Sequence, residues 1–144
     1  MHPLIIWFLI LVSPSPGTPR VTQSPTELAG PCGLDAHEDN SRRAKAKPLG
    51  DAGVEAVICA ADEDWFSFDL AKGQRVELVA KSPGARHLQL SLYPPRARKA
   101  RGRRRATSGG RIVQYRARRT GKHRIRIRTR SESPLPYQLL IRAR

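Results

Sequence analysis

Cationic side chains are the residues of this chain whose number and spacing favour binding chemistry. The sequence holds 27 Lys and Arg against 12 Asp and Glu, a formal net charge of +15. Seven cations fall within "RARKARGRRR", residues 96–105, and no acidic residue occurs between Glu77 and Glu132. They are Arg96, Arg98, Lys99, Arg101, Arg103, Arg104 and Arg105. We expect residues 96–105 to be a solvated, flexible loop. Because its cationic side chains attract phosphate and sulfate, we also expect the loop to have affinity for polyanions.

A second cationic pattern runs through "KHRIRIRTR", residues 122–130. Side chains alternate between the two faces of a β-strand, so the cationic and apolar residues here separate onto opposite faces. The cationic face would carry Lys122, Arg124, Arg126, Arg128 and Arg130, and the other face His123, Ile125, Ile127 and Thr129. Cations on one face lie roughly 6.6 Å apart, a spacing that suits a row of anionic groups. A solvent-facing strand in an Arg-rich chain shows the same pattern without any ligand, and the sequence leaves both interpretations open.

The segment "ADEDWFSFDL", residues 61–70, places three consecutive acids before an alternating aromatic run. If this run is a strand, Phe66, Phe68 and Leu70 lie on one face, which we expect to be the core face. Trp65 lies on the other face, where we expect it to be buried at a sheet edge or under a loop rather than exposed to a ligand.

Catalytic motifs find little support in the sequence. Ser67, His87 and Asp62 supply the residue types of a nucleophilic triad, but no nucleophile motif surrounds any serine. The four histidines are scattered, and neither a Gly-rich phosphate loop nor zinc-finger spacing occurs. The chain is therefore predicted not to be an enzyme.

The N-terminal residues resemble an export signal. The apolar run of residues 3–12 is too short for a membrane-spanning helix, which needs roughly 20 residues, and it fits the hydrophobic part of a signal peptide. Small residues before Thr18 indicate a signal peptide of residues 1–17, followed by a Pro-, Thr- and Ser-rich flexible leader, residues 18–31. We therefore predict a secreted or periplasmic protein, which is not integral to a membrane if the signal is cleaved. The alternatives are a retained N-terminal anchor and a misassigned start codon.

Two cysteines, Cys32 and Cys59, follow the predicted signal peptide. In an oxidising compartment, an even cysteine count indicates a disulfide. Closing this loop would contribute roughly 3 kcal/mol to stability. The alternative is two unpaired, buried thiols.

From residue 32 to residue 144 the sequence indicates one domain rich in strands. Strand candidates alternate or are rich in β-branched and aromatic residues, and Gly- or Pro-containing turns separate them. The candidates are residues 54–60, 65–70, 74–80, 87–93, 111–117, 122–129 and 137–143. Seven or eight short strands at this spacing predict an all-β fold, an antiparallel, jelly-roll-like β-sandwich.

Five segments, in this order, resemble the bacterial pre-peptidase C-terminal domain, which is related to collagen-binding modules of collagenases. The segments are "HEDNSRRAKAKPL", "ICAADEDWFSFDLAKGQRVEL", "LQLSLYPP", "RARRTGKHRIRIR" and "YQLLIRA". The resemblance covers about residues 32–144, and the acidic entry into the aromatic strand is its most specific part. The placement of Cys32 and Cys59 resembles that of some members as well. The resemblance implies a β-sandwich that accompanies secreted peptidases or occurs in other exported proteins.

The same resemblance implies a calcium site. In related collagen-binding modules an acidic opening and nearby carboxylates chelate Ca²⁺, and the residues that match here are Glu38, Asn40, Asp62 and Asp64. Oxygen ligands suit this hard cation. Ser41 stands where the family has Asp, so the ligand set lacks one carboxylate. The alternative is that Asp62 and Asp64 cap a turn and pair with arginines.

The sequence thus predicts an exported, non-catalytic accessory module that contacts extracellular or envelope polymers or partner proteins. A non-specific polyanion binder, for nucleic acid, lipopolysaccharide or acidic polysaccharide, is the alternative. A structural accessory to a separately encoded exported enzyme is a third hypothesis.

Overall fold

The computed structural model describes residues 39–143, and strands dominate this part of the chain. They are β1 (Lys47–Pro48), β2 (Val54–Ile58), β3 (Glu63–Leu70), β4 (Arg75–Lys81), β5 (Leu88–Tyr93), β6 (Arg103–Thr107), β7 (Gly110–Arg116), β8 (Gly121–Thr129) and β9 (Leu135–Ala143). Two single 3₁₀ turns, Arg43–Lys45 and Ala85–His87, are the helical elements of the described chain. The predicted signal peptide and leader, together with Cys32 and Glu38, lie outside the described residues.

The strands form two sheets. The first sheet has the order β1-β3-β8-β5, and the second has the order β2-β9-β4-β7-β6. All neighbouring strands are antiparallel except β1 and β3, which are parallel. The two-sheet arrangement confirms the predicted all-β antiparallel sandwich.

The core lies between the two sheets. It is filled by side chains that alternate along the strands and point inward. Phe66 of β3 is 1% exposed, and Leu78 of β4 and Leu139 of β9 are fully buried. Phe68 and Leu70 belong to the same cluster, as the period-two pattern predicted. Burial of apolar side chains on the inward faces of β2–β5 and β7–β9 holds the two sheets together.

All seven predicted strands occur in the structure, but two strands were missed. The first, β1, has only two residues, and one of them is a proline. The second, β6, is the edge strand of the second sheet, and every one of its residues is exposed. Neither strand has a buried face, so neither shows the alternation by which strands are recognised in sequence.

The prediction that residues 96–105 form a flexible loop is therefore wrong for Arg103, Arg104 and Arg105. These residues belong to β6, which pairs with β7 through a tight turn in which Thr107 lies opposite Gly110. Backbone hydrogen bonds to β7 stabilise β6, so its side chains need no apolar pattern. Charged side chains are also common on edge strands, because they discourage pairing with another chain.

Candidate anion-binding site

The connection from β5 to β6 is anchored to the sandwich. Arg101 donates its backbone N–H to the Leu92 carbonyl oxygen at 2.8 Å. Gly102 has a φ of +97°, and a Cβ atom there would lie 2.7 Å from Val113 Cγ1. Only glycine lets the chain lie this close to β7. The cations of this connection are thus displayed from a backbone that is fixed at its C-terminal end.

Arg96 has an unusual backbone conformation for an arginine. Ala97 donates its N–H to the Pro94 carbonyl oxygen at 3.1 Å, which closes a four-residue turn. Pro95 is second in this turn, and Arg96 is third, with a φ of 60°. This is the arrangement of a type II turn, whose third position favours glycine. A left-handed backbone costs an L-residue about 1–2 kcal/mol, and strain of this kind concentrates at functional sites.

At the same end of the sandwich, the β3–β4, β5–β6 and β7–β8 connections enclose an open cleft of about 1010 Å³, here called the basic cleft. Among the residues that the structure describes, six cations and no acidic residue line it. The cations are Lys72, Arg96, Arg101, Arg116, Arg118 and Arg119. Within residues 39–143, none of the six takes part in an ion pair. The uncompensated positive charge makes this cleft an attractive site for anions.

Backbone hydrogen bonds hold two walls of the basic cleft together. Gly73 donates its N–H to the Ala117 carbonyl oxygen at 2.7 Å, and Ala117 donates to the Gln74 carbonyl oxygen at 2.8 Å. The Lys72 N–H also donates to Thr120 Oγ1 at 2.9 Å. These contacts join connections that are distant in sequence. For this reason no local pattern in the sequence predicts a binding role for Lys72 or for the cations of "RARR", residues 116–119.

The cationic face of β8 is confirmed by the structure, but its cations are in unequal surroundings. Arg126 Nη1 and Arg128 Nε lie 3.4 Å and 3.2 Å from the same carboxylate oxygen, Oε1 of Glu63. Lys122 lies opposite Asp69 in the ladder between β3 and β8. Carboxylates beside these cations weaken their attraction for an external anion. The predicted even row of positive charge is therefore interrupted.

Aromatic rings surround part of this row. The Arg126 guanidinium carbon lies 5.6 Å from the ring centroid of Trp65 and 5.4 Å from that of Tyr93. The two rings are themselves 5.3 Å apart. Both are buried, and Trp65 is 5% exposed. The prediction of a buried Trp65 is thus confirmed, and the indole lies in a cation–π stack.

Arg130, the last cation assigned to the row, follows the end of β8. Its backbone N–H donates to the His87 carbonyl oxygen at 3.0 Å. Arg130 therefore lies outside the ladder in which the other four cations of the row are arranged.

Of the residues assigned to calcium, the structure describes Asn40, Asp62 and Asp64, and these three lie near the start of β3. Trp65 donates its backbone N–H to the Asn40 carbonyl oxygen at 3.0 Å, so Asn40 lies beside the acidic segment. Asp64 is 4% exposed and accepts a hydrogen bond from the Tyr137 hydroxyl at 2.7 Å. Asp62 Oδ1 accepts the Glu63 N–H at 2.7 Å. In the part of the chain that the structure describes, no group of three or more His, Cys, Asp or Glu side chains is placed to hold a metal. Calcium binding stays a prediction, with Glu38 outside the described residues.

Cys59 follows the end of β2 and is buried. Residues 39–143 contain no free cysteine. Because Cys32 lies outside the described residues, the bond between Cys32 and Cys59 stays a prediction. Intact mass before and after reduction and alkylation checks it: two alkylated thiols without reductant would contradict the bond.

His123 lies on the inner face of β8, next to the residues of the cleft. It is fully buried, and its Nδ1 is 2.8 Å from the Gly121 carbonyl oxygen. Its ring lies 5.6 Å from that of Tyr115, which lines the basic cleft. Burial lowers the pKa of the His123 imidazole below its ordinary value of 6.5, against the opposing effects of the Gly121 carbonyl and the Asp69 charge. Neutral imidazole is therefore the favoured form in the folded protein at neutral pH.

Sequence comparison gives no relative for this chain: no protein-family model matches it, and no curated protein does. Structure comparison gives clear likenesses. One is the pre-peptidase C-terminal domain of collagenase from Bacillus anthracis, with a TM-score of 0.57 and 12% identity, covering 67% of this chain and 92% of that domain. The chain has the fold of a pre-peptidase C-terminal domain.

A second structure with the same fold is PliG of Aeromonas hydrophila, a periplasmic inhibitor of g-type lysozyme. Its TM-score is 0.53 at 15% identity, and the match covers 69% of this chain and 96% of PliG. These likenesses concern the fold, because identity is low in both. No helix within residues 39–143 is long and apolar enough to span a bilayer.

Proposed function

We propose that this chain is an exported, non-catalytic binding module that binds acidic polymers through the basic cleft and the adjoining strand β6. The observation that carries this proposal is a concave surface whose lining, within residues 39–143, has six cations and no acidic residue. The exposed arginines of β6 continue the positive surface along the edge of the second sheet. The fold is shared with a domain of a collagenase and with a periplasmic lysozyme inhibitor, which supports an accessory role outside the cytoplasm.

Acidic polysaccharide is the polymer class that these features favour over single-stranded nucleic acid. Proteins that bind single strands without base specificity stack bases on aromatic side chains between their cations. No aromatic residue is interleaved with the cations of residues 96–105, and the Trp65 ring is buried in a cation–π stack. Charge-assisted hydrogen bonds to sulfate or carboxylate groups need no such ring.

Binding to immobilised heparin over a range of salt concentrations tests the proposal. The double change Arg118→Gln with Arg119→Gln should weaken retention, because both side chains line the basic cleft. The double change Lys47→Gln with Lys81→Gln is the matched control, since it removes the same charge from exposed residues away from the cleft. Equal retention of the two variants would contradict the proposal. Duplex DNA as a second ligand distinguishes polysaccharide from nucleic acid.

An acidic protein partner is a second candidate, favoured by the likeness to PliG. Glycoside hydrolases carry a pair of carboxyl groups in a cleft, which is a chemistry that a basic surface complements. Co-sedimentation with a g-type lysozyme, and its rate of cell-wall hydrolysis with and without this protein, test this candidate. If this protein binds the lysozyme but not heparin, and if Arg118→Gln with Arg119→Gln removes the binding, the protein partner is favoured over the polymer.

A further inference from the structure

A second basic hollow adjoins the basic cleft. It has a volume of about 460 Å³ and is lined by Arg43, Ala44, Arg96 and Arg124. Arg96 lines both this hollow and the basic cleft. Three arginines from three separate parts of the chain therefore converge here: the first 3₁₀ turn, the β5–β6 connection and β8.

Arg124 differs from the other cations on its strand in what lies beside it. Across the ladder from Arg124 are Ser67 on β3 and Tyr93 on β5, and neither carries a carboxylate. The described chain gives Arg124 no ion pair, whereas Arg126 and Arg128 share Glu63. Arg124 is half-buried, so an anion that meets it is partly shielded from water, which strengthens the attraction.

Arg43 is held in place from its own side of the hollow. Its guanidinium carbon lies 5.3 Å from the ring centroid of Tyr93, a cation–π geometry. The acid nearest in sequence among the described residues, Asp39, forms an ion pair with Lys45 at 2.6 Å. That carboxylate is therefore engaged with another cation and does not line the hollow.

Arg96 supplies the third guanidinium from the third position of a type II turn, which favours glycine. Glycine there would relieve the backbone strain but remove the cation. An arginine in this conformation is an observed outlier, and strain of this kind points to a role for the side chain.

We propose that Arg43, Arg96 and Arg124 form an anion subsite that takes one sulfate or phosphate ester group, while the polymer that carries the group continues in the basic cleft. This inference rests on the proposed function and specifies its ligand. A tetrahedral oxyanion presents three or more oxygens and can accept from three converging guanidinium groups, whereas a carboxylate presents only two oxygens. Arg96 joins the subsite to the cleft.

The subsite is tested by NMR titration of the whole protein with sodium sulfate, and separately with sodium phosphate, at constant ionic strength. Saturable shifts of the backbone amides of Tyr93 and Arg96 are expected. Arg124→Gln should weaken this binding about tenfold. Arg128→Gln, which removes the same charge from the same face of β8, should leave it unchanged because Glu63 already neutralises that position.

Arg96→Gly guards against loss of binding through misfolding. The variant should melt a few degrees higher, because the strained backbone is relieved, and yet bind sulfate about tenfold more weakly. The control Arg98→Gly lies in the same connection without a positive φ and should give no gain in melting temperature.

Saturation by either anion supports the subsite, and the anion bound more tightly identifies the ester. Shifts that stay linear in concentration for both anions, or equal binding by Arg124→Gln and Arg128→Gln, would overturn it. If heparin binding persists in that case, only the subsite fails. If the Arg118 and Arg119 double variant is retained on heparin as strongly as its control, the proposed function itself is contradicted.

Discussion

The cations of β8 and the cations of the basic cleft are the same kinds of residue in different surroundings. On β8, Glu63 pairs with both Arg126 and Arg128, and two aromatic rings flank Arg126. In the basic cleft, no acidic residue of the described part of the chain belongs to the lining. The net charge of +15 is therefore larger than the positive charge that can attract a ligand. A cation can attract a ligand strongly only where no acidic residue lies beside it.

The largest expected effect follows from removing the cations at the edge of the second sheet. Changing Arg101, Arg103, Arg104 and Arg105 to Thr should leave the fold intact, since all four are exposed and Thr favours strands. Each lost contact lowers the slope of log binding constant against log salt by about 0.9 for duplex DNA, so the slope should fall by about three to four units. Fluorescence titrations at several salt concentrations measure it. An unchanged slope would show that β6 does not contact the polymer.

A smaller effect is expected from making β8 resemble the cleft. Glu63→Gln keeps an oxygen that can accept the Trp65 Nε1–H, now bonded at 3.0 Å, but removes the charge that pairs with Arg126 and Arg128. The salt slope for duplex DNA should rise by about one unit, because one or both arginines become available. If polyanion affinity does not rise in this folded variant, pairing with Glu63 is not what keeps Arg126 and Arg128 from binding polyanions.

The free energy of unfolding should depend on pH because of His123 on β8. The unfolded chain protonates His123 at its ordinary pKa of 6.5, and the folded protein resists protonation because burial lowers this pKa. The stabilising contribution is therefore complete above pH 6.5 and is lost as pH falls from 6.5 through the folded pKa, by at most about 1.4 kcal/mol per pH unit.

Urea unfolding between pH 7.5 and pH 5 measures this loss. His123→Phe should remove the part of the slope that is due to His123, since a phenyl ring can contact Phe68 and Tyr115 without titrating. An identical pH dependence in the variant would contradict the assignment to His123. Polyanion binding by the folded protein should change little over this range, because no histidine or acidic residue of the described chain lines the basic cleft.

The smallest expected effect concerns the acidic residues at the start of β3, whose charge is opposite to that of the basic cleft. If Glu38, Asn40, Asp62 and Asp64 bind Ca²⁺, millimolar calcium should raise the melting temperature by mass action. The double change Asp62→Asn with Asp64→Asn should abolish the increase. Asp64 also accepts the Tyr137 hydroxyl, so Tyr137→Phe is the control that loses this bond and keeps the carboxylates. No increase for the unmodified protein would count against the site.

The sequence predicted those features that depend on local alternation. The inward residues of β3 and the two faces of β8 were predicted correctly because a buried face imposes a period of two. The strand β6 was missed because its stability comes from backbone pairing with β7, which leaves no trace in its arginines. The pairing of Glu63 with Arg126 and Arg128 depends on the register between β3 and β8, and 63 residues separate Glu63 from Arg126.

The candidate site was predicted only in part, because connections from three places in the sequence assemble it. Residues 96–105 attracted attention through their charge density. Lys72 is a single cation in its segment and Arg43 is one of four cations in residues 42–47, and only the fold places them beside Arg96. Convergence of this kind cannot be read from local patterns, because it depends on which sheet edges and turns meet at one end of the sandwich.

The measurement that tests the central claim most directly compares two double variants in the salt dependence of duplex DNA binding. Arg118→Gln with Arg119→Gln removes two unpaired charges from the cleft, and Arg126→Gln with Arg128→Gln removes two paired charges from β8. Melting temperatures confirm that both proteins are folded. We expect the cleft variant to lose about two units of salt slope and the β8 variant to lose at most about one unit, because the single charge of Glu63 is shared by two arginines. An equal loss in both would show that total charge, rather than unpaired charge, governs binding.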